Sequence, residues 1–149
     1  MAQTLQAGKP AGVMTGRVSL QAVSDDGQTI IYGVTRYDVT ANKGTSQLFC
    51  VTMSGATSQL TDGDKSASAV GFTRQGRIAY MQDGQLWTMA RDGSGKKQAS
   101  NIEGGISNVK ISPKGDAVLF TRDVKYRETT AEMYPSLPKA NAIIVEDLM

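Results

Sequence analysis

The chain writes one short block three times: Val23-Ser24-Asp25-Asp26-Gly27, Phe72-Thr73-Arg74-Gln75-Gly76 and Ile111-Ser112-Pro113-Lys114-Gly115. Each copy stands between two short segments of alternating apolar residues. A unit of that size cannot bury an apolar face by itself, so a chain built this way folds by stacking each unit on the next.

The repeat extends beyond the turn. After each glycine comes a strand-like run: Thr29-Ile30-Ile31-Tyr32, Arg77-Ile78-Ala79-Tyr80 and Ala117-Val118-Leu119-Phe120. A second run follows after a variable gap, from Gln47 to Val51, from Gln85 to Met89 and from Ala142 to Val145. The first two of these lead to a further turn glycine, Gly55 and Gly93. Glycine adopts the positive φ that tight turns require, and Ser or Asp beside it hydrogen-bonds the local backbone. The unit reads strand, tight turn, strand, loop, strand, turn, strand. Gly27 to Gly76 spans 49 positions and Gly76 to Gly115 spans 39, and a four-stranded unit of roughly 40 residues is the size of a β-propeller blade.

Composition agrees. There are 16 glycines against 4 prolines, the strand runs are rich in β-branched and aromatic residues, and no apolar stripe holds helical spacing for more than a turn or two. The expected fold is all-β: a partial propeller of about three four-stranded antiparallel blades, the last incomplete. Residues 1–16 read as an N-terminal extension and 17–149 as the partial propeller. Blade one is expected over 17–61, blade two over 66–101 and the incomplete blade three over 105–149. Three blades cannot close a ring that needs roughly four to eight, and the third unit ends at Leu148-Met149, right after its third strand. The sequence therefore reads as a cut arc with open edges, which proteins rarely leave uncovered. Either further blades cover them, or copies self-associate through them, as two three-blade arcs closing one ring would.

Several function classes are excluded by what the chain lacks. The formal net charge is +2, from 16 basic and 14 acidic residues that are interspersed, so there is no basic face for nucleic acid. Lys96-Lys97 sits in a Gly-Ser turn and reads as a solvated loop. The longest apolar runs are only a few residues, so no membrane span is expected. Met1 ahead of Ala2-Gln3-Thr4 fits an initiator methionine placed before an export-processed N-terminus, which points to a periplasmic or secreted protein. The single cysteine, Cys50, cannot form an intrachain disulfide and lies in a strand, where it serves as a small core hydrophobe.

The chain has no histidine. A Ser-His-Asp or Cys-His site needs an imidazole to take and return the nucleophile's proton near neutral pH, so no such catalytic residues are assigned to this polypeptide. Zinc would find only carboxylates and one thiol, and no metal ligands or cofactor are assigned. There is no Gly-x-Ser-x-Gly elbow and no phosphate-cradling Gly-x-x-x-x-Gly-Lys loop. Asp25-Asp26, Asp62-Gly63-Asp64 and Asp92 all lie in turns, where they read as turn formers; Asp62-x-Asp64 alone falls short of a calcium loop.

Two insertions interrupt the repeat, and insertions into repeats tend to gather on a binding face. Thr35 to Thr45 lies between the second and third strands of the first unit. Asp123 to Asn141 takes the same place in the third, with Lys125-Tyr126-Arg127-Glu128, Glu132, Tyr134-Pro135 and Leu137-Pro138. Charged and aromatic loop residues over a rigid scaffold are the expected place for ligand contact, or for packing on a neighbouring domain.

One stretch carries a more specific signal. The run Phe120-Thr121-Arg122-Asp123-Val124-Lys125, then Tyr134-Pro135-Ser136-Leu137-Pro138-Lys139-Ala140, ending in Glu146-Asp147-Leu148-Met149, resembles the N-terminal propeller of bacterial serine peptidases of the prolyl oligopeptidase family, in the exported dipeptidyl peptidase and acylaminoacyl peptidase branch. The Ser-Asp-Asp-Gly and Ser-Pro-Lys-Gly turns, with the Gln-Leu-Phe and Gln-Leu-Trp strands, are similar to the repeat that this propeller shares with TolB-type periplasmic propellers and, more loosely, WD40 blades. The resemblance runs from about residue 17 onward. It implies a seven- or eight-bladed propeller over an α/β-hydrolase domain that carries a Ser-Asp-His triad, with the propeller filtering peptide substrates by size. The triad has no counterpart in this chain, which would be the non-catalytic opening of such an enzyme. In related dipeptidyl peptidases, glutamates on a propeller insertion hold the peptide's free amino terminus. Glu128 and Glu132, the glutamates of the long insertion, are the substrate-binding candidates, four positions apart, so that a single helical turn would place them on one face.

The readings that follow differ in class. The first is the propeller portion of an exported peptidase that removes dipeptides or acyl-amino acids, gating or positioning peptides for a hydrolase domain. The second is a TolB-like module that binds protein without catalysis. The third is a small free-standing β-protein unrelated to either.

Overall fold

The computed structural model describes residues 16–123, and among these every regular element is a β-strand. The first sheet runs β1 (Gly16–Val23), β2 (Thr29–Asp38), β3 (Lys43–Thr52) and β4 (Thr57–Gln59). The second repeats it with β5 (Ala67–Phe72), β6 (Ile78–Gln82), β7 (Gln85–Met89) and β8 (Lys97–Gln98), and a third unit begins with β9 (Ser107–Ile111) and β10 (Val118–Thr121). Each four-stranded sheet is an antiparallel meander with neighbours in chain order. The all-β blade architecture expected from the sequence is the one observed.

The repeated block makes the same turn each time. Gly27, Gly76 and Gly115 have φ of 68°, 73° and 68°, a left-handed conformation that costs glycine nothing and any other residue strain. The residue three before each glycine accepts its amide hydrogen: Gly27 N donates to Ser24 O, Gly76 N to Thr73 O and Gly115 N to Ser112 O, all at 2.8 Å. The hydroxyls of the same three residues accept the amide that leads into the next strand, from Thr29 (2.9 Å), Arg77 (3.2 Å) and Ala117 (3.1 Å). A Ser or Thr at this position therefore closes the turn twice, once with its carbonyl and once with its side chain.

A second device is shared by the two complete sheets. In the middle of β3 the Gln47 carboxamide accepts a hydrogen bond from the Thr61 hydroxyl (2.6 Å), and that hydroxyl accepts one from Leu48 N (2.9 Å). At the start of β7 Gln85 accepts from the Ser100 hydroxyl (2.8 Å), which accepts from Leu86 N (2.8 Å). The Gln side chains also donate onward, Gln47 to Gly63 O and Lys65 O, and Gln85 to Ile102 O. Each Gln thus ties the outgoing connection to the third strand of its own sheet, fixing where the next sheet starts.

The sheets stack face to face. Ile31, Leu48, Cys50 and Leu60 of the first meet Ala67, Ile78, Tyr80 and Met89 of the second. On the other side of the second sheet, Ala79 and Leu86 pack with Ile106 and Val109 of the third unit. Alternation along β6 sends Ile78 and Tyr80 one way and Ala79 the other, and all three are at most 1% exposed. Cys50 is buried in the first interface as a small side chain, its Sγ 3.0 Å from Ser58 Oγ.

The insertion at Thr35 to Thr45 differs from its expectation as a loop. It is mostly strand: β2 continues to Asp38 and β3 resumes at Lys43, with Thr35 opposite Ser46 and Tyr37 opposite Gly44. Thr35, Arg36 and Tyr37 tolerate the extended backbone, and only the tip from Val39 to Asn42 turns. Asp38 Oδ1 accepts the amides of Thr40 (2.9 Å) and Ala41 (3.0 Å), Asn42 takes a left-handed φ of 49°, and the Tyr37 hydroxyl donates to Asn42 Oδ1. The insertion lengthens a hairpin instead of draping over the blade.

Candidate functional site

Two clefts stand out among the described residues. One, of about 390 Å³, is formed where the three repeated turns converge. Asp25 and Asp26 come from the first turn, Arg74 from the second and Lys114 from the third, with Phe72 and Arg91 between them. Arg91 organises the cleft. Its guanidinium stands 5.3 Å from the centre of the Phe72 ring, its Nε donates to Gly76 O (3.2 Å), and its Nη1 is 3.4 Å from Asp26 Oδ2. One side chain thereby holds the first two turns in register. The second and third turns meet directly, Arg74 N donating to Gly115 O at 3.1 Å. A Cβ on Gly115 would collide with the Thr73–Arg74 backbone.

Charge at this cleft is set by local hydrogen bonds. The Ser24 hydroxyl (2.5 Å), then Gln28 N (3.0 Å), then Arg91 hold the Asp26 carboxylate below its usual range. Asp92, on the β7–β8 turn, is lowered in the same way by the Ser94 hydroxyl and amide. Both are solvated turn carboxylates with assigned partners. The cleft pairs opposite charges, with Asp25 and Asp26 facing Arg74, Arg91 and Lys114, an arrangement suited to hydrogen bonding and ion pairing.

The other cleft, of about 300 Å³, lies on the open side of the first sheet along the lengthened β2–β3 hairpin. Val34, Arg36 and Asp38 form one wall, Lys43, Gln47 and Phe49 the other. It grades from apolar near Phe49 to charged near the hairpin tip.

Of the Thr35 to Thr45 insertion singled out in the sequence, Arg36, Asp38, Lys43 and Thr45 line this second cleft. Glu128 and Glu132 lie outside the described residues, as does the insertion beyond Asp123. Among the described residues no group of three or more Cys, Asp or Glu side chains is placed to hold a metal ion, and no helix is long and apolar enough to cross a membrane. Sequence reasoning missed Arg91 as the clamp of the turn cleft. The available signal was its place: it follows β7, whose last residue, Met89, pairs with Ile78 just after the second repeated turn.

Comparison with known proteins adds to this geometry. No protein-family model matches the chain. It is 43% identical over 139 residues to the Dipeptidyl-peptidase 5 of Porphyromonas gingivalis, a match covering 89% of this chain and 20% of that protein. It is 30% identical over 139 residues to the Dipeptidyl-peptidase 5 of Porphyromonas endodontalis, with the same coverage of 89% and 20%. The chain thus spans about a fifth of the length of these curated relatives. Among solved structures, a TolB protein from Agrobacterium tumefaciens superimposes with a TM-score of 0.56 at 20% identity, over 76% of this chain and 41% of that one. That likeness shows the fold: stacked propeller blades. The sequence match and the blade architecture together fit an N-terminal propeller portion of a dipeptidyl peptidase.

Proposed function

We propose that this chain is the non-catalytic propeller portion of an exported serine peptidase of the prolyl oligopeptidase family, which releases dipeptides or acyl-amino acids from peptide N-termini. In this reading the blades gate or position the peptide for an α/β-hydrolase domain, and the protein works in the periplasm or outside the cell. The observation that carries it is the 43% identity to a dipeptidyl peptidase along nearly the whole chain. The chain's own chemistry supports the division of labour. Without histidine it needs another domain to supply the base for an acyl-transfer reaction, while its clefts offer the ion pairs suited to peptide termini. Glu128 and Glu132 are the proposed holders of the substrate's amino terminus.

The test is expression of the complete gene product, followed by assay on peptides with a free amino terminus. Dipeptide release is expected, with Glu128→Gln and Glu132→Gln raising KM for free-amine peptides more than for acylated ones. A complete gene product that ends after the propeller and cleaves no peptide would overturn this reading in favour of a protein-binding module.

A further inference from the structure

The first unit departs from the repeat at its β2–β3 hairpin, and the departure is braced on both sides. The pairs Tyr32–Phe49 and Val34–Gln47 correspond to Tyr80–Trp87 and Gln82–Gln85 of the second sheet. There the second hairpin closes through Asp83 and Gly84, whereas the first continues through four more pairs, from Thr35–Ser46 to Asp38–Lys43. At about 3.4 Å per residue this arm reaches roughly 13 Å further before its tip turns. On one side β1 supports it as far as Arg36, with Arg17 opposite Thr35 and Gly16 opposite Arg36. On the other, the connection after β4 accepts Gln47 Nε2 at Gly63 O (2.9 Å) and Lys65 O (3.1 Å), Lys43 Nζ at Asp64 O (3.1 Å) and Ser46 N at Ser66 Oγ (3.1 Å). Lys65 in turn pairs with Asp83 at the tip of the second hairpin. An arm held in this way presents its side chains in a fixed place, as a recognition element requires.

Register puts Arg36, Asp38, Lys43 and Thr45 on one face of the arm, and all four line the cleft of about 300 Å³. The acceptors around them are largely engaged. Asp38 Oδ1 takes the amides of Thr40 and Ala41, Gln47 Oε1 takes the Thr61 hydroxyl, and Gly63 O takes Gln47 Nε2. The donors are not engaged in the same way. Among the described residues the ion pairs are Lys65–Asp83 and Arg91–Asp26, so neither Arg36 nor Lys43 is matched to a carboxylate. Thr45, directly opposite Arg36 in the register, adds a hydroxyl. A guanidinium, an ammonium and a hydroxyl gathered on one face suit the two oxygens of a carboxylate.

The arm also stands at the end of the sheets where the proposed substrate contacts begin. The three repeated turns converge at one end, so β2, β6 and β10 all run from there toward the other. The chain leaves β10 for the Asp123 to Asn141 insertion at the end that carries the arm.

We infer that Arg36, with Lys43 and the Thr45 hydroxyl beside it, determines specificity by binding a carboxylate of the peptide, from an acidic side chain or from the peptide's carboxyl terminus, a role that rests on the peptide-binding reading proposed above.

The test uses the complete gene product and neutral peptides with a free amino terminus. One series carries a single Asp or Asn at successive positions and an amidated carboxyl end; the other carries neutral residues only, with the carboxyl end free or amidated. Expected is an advantage in kcat/KM of about 5- to 10-fold, carried by KM, either for Asp at one position or for the free carboxyl end, which identifies the source of the carboxylate. Arg36→Gln abolishes the advantage and Arg36→Lys keeps part of it. Arg17→Gln, an equal loss of charge at a position paired with the arm's other face, leaves it whole. Added salt shrinks it. A product that cleaves peptides with no carboxylate preference, or with one that survives Arg36→Gln, overturns the assignment while leaving the peptidase reading intact. A product that cleaves no peptide defeats that reading, and fluorescence anisotropy of the same peptides, labelled, then decides the role of Arg36 separately: tighter binding of the carboxylate form that Arg36→Gln removes supports it, and equal binding of the two forms overturns it.

Discussion

The first and second sheets share turns, register and hydrogen-bonding devices, but among the described residues the second is covered on both faces and the first on one. Ile78, Ala79 and Tyr80 are consecutive and all buried; of their counterparts, Ile31 is buried while Ile30 and Tyr32 are half-buried. Alternation in a strand marks which residues share a face. It does not say whether a neighbour is present to cover that face. The comparison separates two contributions to a blade: the local devices, which each sheet owns, and the burial, which each borrows from its neighbours.

The largest effects should come from the borrowed part. Tyr80→Ala removes a fully buried ring from the core it shares with Ile78 and Met89, and should cost about 3–5 kcal/mol. Tyr32→Ala, at the equivalent position, should cost only about 1–2 kcal/mol in the 149-residue chain, since its side chain is already partly exposed. Urea unfolding of the two variants breaks the comparison if the costs are equal. Next, Leu48→Ala, at an interface that is filled, should cost about 2–5 kcal/mol. Leu119→Ala, on a face that is open, should stay within about 0.5 kcal/mol. Thermal unfolding ranks this pair.

The owned part predicts likeness. Gln47→Ala and Gln85→Ala each remove the carboxamide that ties a connection to the third strand, and each should cost about 1–3 kcal/mol. The two losses should be similar, because the hydrogen-bonding pattern is the same in both sheets. A large difference in their urea midpoints would show that one of the ties is made by context and not by the repeat.

The smallest effect concerns the bridge between the two turns. Asp26 is held below the usual carboxylate range by Ser24, Gln28 and Arg91, so its contribution is present above the unfolded pKa, about 4, and is lost as pH falls through the lower folded value. Asp26→Asn should therefore flatten the acid limb of stability below about pH 4, with little change at pH 7, where an exposed pair contributes little. Chemical unfolding repeated from pH 7 down to pH 3 reads this directly.

Much of the fold was legible because glycine and its Ser or Thr partner leave a local signature. The three turns, the strands after them and the all-β blades follow from residues that act within a few positions of themselves. The length of the β2–β3 hairpin was not legible. Asn42-Lys43-Gly44 has loop composition, and only the pairing of Thr35 to Asp38 with Lys43 to Ser46 draws it into the sheet. Likewise, the break in register between Leu20 and Ala22 leaves Gln21 free to accept the Ala69 amide of the next sheet at 2.5 Å, a long-range contact with no local mark. At the turn cleft, Asp25 and Asp26 were read as turn formers, and Asp26 does accept Gln28 N. Arg91 was overlooked because its partners lie in other strands and another sheet. The sequence-level substrate candidates, Glu128 and Glu132, lie beyond the described residues.

The measurement that tests the account most directly is amide hydrogen exchange of β2 and β6, followed in the 149-residue chain and in the complete gene product. The account predicts that β6 is the better protected in the isolated chain, and that β2 rises to match it in the complete product as a further blade covers Tyr32 and Phe49. Equal protection of the two strands in the isolated chain, or a β2 unchanged in the complete product, would contradict it.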